Sequence, residues 1–344
     1  MSLPPLPSQP ADVAWPTQDW PRGEPSAQVD MARLETVLAR ALTDQPTADL
    51  GETHAVLIVQ GGRLIVERYG PGRGPDQSLT SWSMAKSITQ ALVGMLVGDG
   101  LLDIHAPADV PEWRAPGDPR GAITLDLLLR MSSGLAFVED YVPDHPSDVI
   151  EMLWGSGKDD VARYAANKPL EHPPGAFWYY SSGTTNIVSR CAARALGAQG
   201  ADFQAFMRER LFEPLGMTSA SPKFDPAGTF IGSSFCFCTA RDFARFGTLY
   251  LRDGMWEGRR LLPAGWVDYA RTKTWQQPND DGPYGAHWWL DTAGPGSFNA
   301  LGFGGQFIVV VPDLDMVVVR NGDTPLAQAP NTKAWIKDVV DCFR

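Results

Sequence analysis

A serine hydroxyl becomes a nucleophile only beside a group that can take its proton. One stretch of the chain offers that pairing: Ser83-Met84-Ala85-Lys86, at the head of the apolar run 87–97. On a helix the serine and the lysine lie about one turn apart on the same face, so hydroxyl and amine can touch. The sequence holds seven lysines, and a serine stands three positions earlier only before Lys86. An ordinary helix start with an exposed lysine has the same four letters, so the pattern gains meaning only from what converges on it.

The elements that must position this pair are legible in outline. Residues 54–60 and 63–69 are alternating or continuous apolar runs around Gly61-Gly62, the grammar of two strands joined by a tight hairpin. The grammar returns near the other end, where 306–311 and 316–320 flank the turn Pro312-Asp313-Leu314-Asp315, with a final helix expected over 333–343. Met31, Leu34, Val37, Leu38 and Leu42 have the spacing of a helix with one buried stripe. Between the two sets of strands, helix-like segments at 125–131, 148–154, 159–166, 185–195 and 203–211 are separated by proline and glycine. The expected architecture is therefore α/β of the α+β type: an antiparallel sheet from both termini, flanked by helices and interrupted by a large, mostly helical insertion. In chain order this gives residues 1–80 as arm, helix and first strands, 81–224 as the helical part and 225–344 as the rest of the α/β part. Ser83 would stand where the two parts meet, and a cleft between them is a common place for a small-molecule site.

Composition narrows the partners. The chain has 344 residues, 44% hydrophobic and 20% charged, and a net charge of -11, which repels nucleic acid and anionic membrane surfaces alike. The most apolar stretch, 88–97, is about half the length needed to span a bilayer. The first twenty residues are rich in proline and lack the basic start and apolar block of a secretory signal. Cys191 and Cys342 are isolated, while Cys236 and Cys238 are too close for an ordinary disulfide or a four-ligand zinc site. Reduced thiols in a cytoplasmic protein are the expectation. Residues 1–27, with Trp15 and Trp20, look like an arm laid over the body.

A second motif gives the first its context. Pro174-Gly175 precedes Phe177-Trp178-Tyr179-Tyr180-Ser181-Ser182, and a glycine-rich segment, Gly302-Phe303-Gly304-Gly305, lies near the C-terminus. With Ser-x-x-Lys, these resemble the serine hydrolases that share a fold with class C β-lactamases, D,D-peptidases and related esterases. The segments 123–135 and Glu213-Pro214-Leu215-Gly216-Met217 add to the likeness, which spans most of residues 50–322. Within that fold the chain looks most like the 6-aminohexanoate-dimer hydrolases, sharing Glu139-Asp140-Tyr141-Val142 and the Tyr-x-Ser form of the triplet. Counting from Pro-Gly selects Tyr180 with Ser182 over Tyr179 with Ser181.

The resemblance implies roles. Ser83 would be the nucleophile, and Lys86 and Tyr180 a coupled proton-transfer pair, with Tyr180 protonating the leaving group. A solvated lysine, with a pKa of ~10.4, is protonated at neutral pH, so the fold must favour its neutral form or a phenolate. The oxyanion would be held by the backbone N–H of Ser83 and of Phe303, with a shift toward Gly305 or Gln306 left open. Tyr141, Ser182, Gly302 and Trp288 are expected to contact substrate, with Trp289 as a further candidate for the pocket wall. Where β-lactamases carry Lys-Thr-Gly this chain has Ala300-Leu301-Gly302, so the cation for a β-lactam carboxylate is missing. No metal or cofactor is called for, and the five histidines need no catalytic role.

The expected activity is hydrolysis of a small ester or amide through an acyl-enzyme, as in carboxylesterases or 6-aminohexanoate-dimer hydrolases. The alternatives are a β-lactamase or D,D-peptidase, and a silent relative that only binds a ligand. The expected partner is the small-molecule substrate, without nucleic acid or membrane; a homodimer is left open.

Overall fold

The structure is a computed structural model that describes residues 3–141, 145–274 and 282–344; Val142 of the resemblance segment lies outside the described residues. Strands β1 (Glu52–Gln60) and β2 (Arg63–Tyr69) form the expected hairpin, and Gly61 and Gly62 both sit at positive φ, 57° and 73°, as a primed two-residue turn requires. Four more strands complete the main sheet: β3 (Trp289–Leu290), β4 (Phe298–Gly302), β5 (Gln306–Val311) and β6 (Met316–Asp323). Their spatial order is β2-β1-β6-β5-β4-β3, antiparallel throughout, so the first strand pairs with the last. The two ends of the chain thus meet inside the sheet, whose edges are β2 and β3.

Both faces of the sheet are covered, which is why its central strands read as unbroken apolar runs. On one face Val56, Ile58, Phe307, Val309, Met316 and Val318 pack with helices α1 (Met31–Ala41) and α5 (Ala329–Asp341). On the other, Leu57, Val59, Ile308, Val310, Val317 and Val319 meet α4 (Ala240–Leu251). That second cluster continues without a break into α2 (Ala85–Gly98) and α3 (Ser182–Leu196). One apolar core therefore runs across the expected boundaries at 80 and 224, from Leu79 and Met84 to Met217 and Phe230.

Arginines tie the arm down. Arg245 donates to the carbonyl of Pro16 at 2.7 Å, Arg271 to that of Pro4 at 2.6 Å, and Arg252 to the amide oxygen of Gln9 at 3.0 Å. Trp15 packs on Trp256 at 4.9 Å and Trp20 is buried. Among the described residues no helix is long and apolar enough to cross a membrane. All four cysteines are buried and unbridged, with the sulfurs of Cys236 and Cys238 3.9 Å apart.

Candidate active site

Ser83 belongs to a 3-10 turn, Trp82–Met84, that runs directly into α2. Ser83 ends up one turn before Lys86, the second residue of α2, and side chains three apart across such a junction lie on the same face. Lys86 Nζ lies 3.0 Å from Ser83 Oγ. The turn is entered through Trp82 at a φ of 44°, a conformation a bulky residue adopts only when its surroundings impose it. Those surroundings are aromatic: Phe235 at 5.6 Å, Phe303 at 5.8 Å and Trp154 at 6.3 Å from the indole.

Lys86 is almost fully buried, and its ammonium meets neutral oxygens only. Nζ is 2.9 Å from Ser182 Oγ and 2.9 Å from the carbonyl oxygen of Ser233. That carbonyl is placed by its neighbours: Ser233 N donates to Asn186 Oδ1, and Ser81 Oγ accepts from Cys236 N. Burial without a touching anion disfavours the charged amine and pulls Lys86 down to about 8, while the charge of Glu139 opposes the fall. At neutral pH a usable fraction of Lys86 is therefore a base.

Ser182 is the first residue of α3, capped by the Ser181 side chain, which accepts from Thr184 N. Its Oγ donates to Glu139 Oε1 at 2.6 Å and its N–H to Glu139 Oε2 at 2.8 Å. Tyr141 also donates to Glu139 Oε1, at 2.6 Å. Tyr180 leans over the lysine, its ring centroid 4.8 Å from Nζ, and stacks on Trp289 at 5.4 Å.

A cavity of about 500 Å³ opens above Ser83. Its walls include Tyr141, Tyr180, Trp289, Phe303 and Phe307, and Lys333 of α5 stands 5.6 Å from the Trp289 ring. Gly302 closes β4 against the nucleophile turn: a Cβ there would sit 2.4 Å from the carbonyl oxygen of Ser81, so only glycine lets the strand pass this close. Phe303, Gly304 and Gly305 form the turn into β5, with both glycines at positive φ.

The structure thus brings Ser83, Lys86, Tyr180, Tyr141, Gly302 and Phe303 to one cavity and to the lysine beneath it. Two expectations need correction. Trp288 does not line the cavity; it stands just before β3, fully buried against Tyr250, Phe298 and Phe246, and Trp289, the first residue of β3, takes the cavity side. Ser182 is fully buried behind Lys86 and joins the lysine to Glu139 instead of facing substrate. Sequence reasoning assigned no role to Glu139. Its place beside Tyr141 in the quoted segment was the signal, but three donors converging on one carboxylate become visible only in three dimensions.

Residues 50–340 match the family model for beta-lactamase. The chain belongs to the beta-lactamase family. A 6-aminohexanoate-dimer hydrolase from Paenarthrobacter ureafaciens is 25% identical over 341 residues, covering 93% of this chain and 84% of the relative. A candidate 6-aminohexanoate-dimer hydrolase from Bacillus anthracis superposes with a TM-score of 0.76 at 21% identity, over 99% of this chain and 90% of that one. A family VIII carboxylesterase superposes at 0.68 with 14% identity, over 93% and 99%. At these identities the structural neighbours carry the beta-lactamase fold, and the chemistry must be argued from the site.

Proposed function

We propose that this protein is a serine hydrolase that opens a small ester or linear amide by acyl transfer to Ser83 and then to water. One observation carries the reading: at the floor of an aromatic-walled cavity, the Ser83 hydroxyl touches a buried lysine whose burial holds it down to about 8. As Ser83 Oγ attacks the acyl carbon, its proton passes to Lys86, and the carbonyl electron pair moves onto oxygen. The backbone N–H groups of Ser83 and Phe303 receive that oxygen. Tyr180, between Lys86 and the cavity, delivers a proton to the leaving alcohol or amine and takes one back from Lys86, which is neutral again when water repeats the sequence on the acyl-enzyme. Carboxylesterase and 6-aminohexanoate-dimer hydrolase-like activities are the first candidates, the amide arm supported by Tyr141 on the cavity wall.

Ala300 takes the register position of the β-lactamase lysine, so that position offers no cation for the antibiotic's carboxylate. Nitrocefin turnover is accordingly expected to be slow beside that of p-nitrophenyl esters. We assign the enzyme to the cytoplasm on its four buried, unbridged thiols. A panel of small esters and linear amides tests the reading: turnover of at least one, lost in Ser83→Ala, is expected. Equal thermal stabilisation of wild type and Ser83→Ala by a ligand, without turnover of any member, would favour a binding protein instead.

A further inference from the structure

We propose that Glu139 is a positioning residue that, through Ser182, aims the lone pair of Lys86 at Ser83. The inference rests on Ser83 being the nucleophile, and it follows from counting donors and acceptors around one nitrogen. Lys86 Nζ has three oxygen neighbours. The Ser233 carbonyl can only accept, so it takes one N–H of the amine. Ser182 has a single hydroxyl hydrogen, and Glu139 Oε1 takes it at 2.6 Å. Ser182 Oγ must then accept from Lys86, which uses a second N–H. A neutral amine has two N–H bonds and one lone pair, so the lone pair is left facing Ser83.

In the protonated lysine the third N–H points at Ser83, and it is this proton whose loss arms the base. When Ser83 attacks, its O–H bond breaks, an N–H bond forms on Lys86 and the Oγ–C bond forms at the acyl carbon. The resulting ammonium lies two hydrogen bonds from the Glu139 charge, which favours it. Glu139 is itself held as an acceptor by the Ser182 N–H and by Tyr141, whose phenol is kept protonated first by burial and then by the Glu139 charge. The other groups facing Lys86 are the Tyr180 ring and His287, which burial holds down to about 3 and so keeps neutral at any working pH.

Glu139→Gln breaks the arrangement with little change in shape. An amide has one oxygen, which the Ser182 N–H requires, so its NH₂ turns to Ser182 Oγ and Tyr141. The Ser182 hydrogen is then displaced onto the Lys86 lone pair, and the base no longer faces Ser83. The readout is the single-turnover rate of Ser83 phosphonylation by a fluorophosphonate, followed by intact mass from pH 6 to 10. We expect the plateau rate to fall by about tenfold or more. The midpoint should also move to lower pH, because the anion that favours the ammonium is gone. Ser182→Ala, which leaves the Tyr141–Glu139 hydrogen bond in place, should likewise lower the plateau and shift the midpoint. It serves as the deciding variant where Glu139→Gln does not fold. A folded variant with the wild-type plateau and midpoint, or with a lowered plateau at an unchanged midpoint, overturns the proposal. Absence of any Ser83 adduct in the wild type would instead remove the underlying reading, and the proposal with it.

Discussion

Two cations are buried among neutral oxygens, and they behave differently. Lys86 lies beneath the nucleophile and meets three neutral oxygens. Arg320, on β6, is equally buried and also meets neutral oxygens: the carbonyls of Gly305 at 2.7 Å and Leu50 at 3.0 Å, and the hydroxyls of Thr53 and Thr324 at 3.0 Å each. Burial lowers both, Lys86 to about 8 and Arg320 to about 10, with Asp323 opposing the fall of the arginine. The physics is shared, but an arginine at about 10 keeps its proton near neutral pH and a lysine at about 8 exchanges it. Arg320 is therefore a permanent tie between the glycine turn, β1 and the end of β6, whereas Lys86 can do acid–base work. The same kind of desolvation attends a structural tie at Arg320 and supplies the base at Lys86.

The largest test of this contrast replaces the exchangeable cation by the fixed one. Lys86→Arg keeps the charge but removes the base, and turnover of p-nitrophenyl acetate should fall roughly 10³-fold. Retention of more than a tenth of the activity would end the contrast. The converse change, Arg320→Met, leaves several buried carbonyls and hydroxyls without a donor and should destabilise the fold by about 3 kcal/mol in urea unfolding. A loss below about 1 kcal/mol would show that the arginine is not a structural tie. The smallest effect is a pH profile. Because the folded pKa of Lys86 is lowered, the reactive neutral amine appears as pH rises through about 8. Its fraction goes from roughly a tenth at pH 7 to nine tenths at pH 9, so acylation should rise roughly tenfold over that interval. A rate that falls above pH 7 would contradict the assignment of Lys86 as base.

How much of this was legible in the sequence depends on whether the signal was local. The Gly61-Gly62 hairpin was readable because a two-residue turn needs positive φ at both positions, and Ser83 with Lys86 because three-residue spacing puts them on one face of a helix. Counting from Pro-Gly selected Tyr180 and Ser182, the pair that reaches Lys86, over Ser181, which caps α3. The sequence did not tell which of Trp288 and Trp289 faces the cavity, because that depends on where β3 begins and on its register with β4, which starts at Trp289 opposite Asn299. Nor could it tell that Ser182 lies behind the lysine, that Glu139 gathers three donors, or that Arg320 is buried. Each depends on groups distant in the chain: Glu139 is bonded to Ser182, and Arg320 to Leu50 and Thr53.

The central claim is that Ser83 is the nucleophile. Intact-mass analysis after exposure to a fluorophosphonate, with peptide mapping of the modified site, tests it most directly. One adduct per chain is predicted, mapped to Ser83 and absent from Ser83→Ala. No adduct on the wild type, or one that persists in Ser83→Ala, would contradict the account.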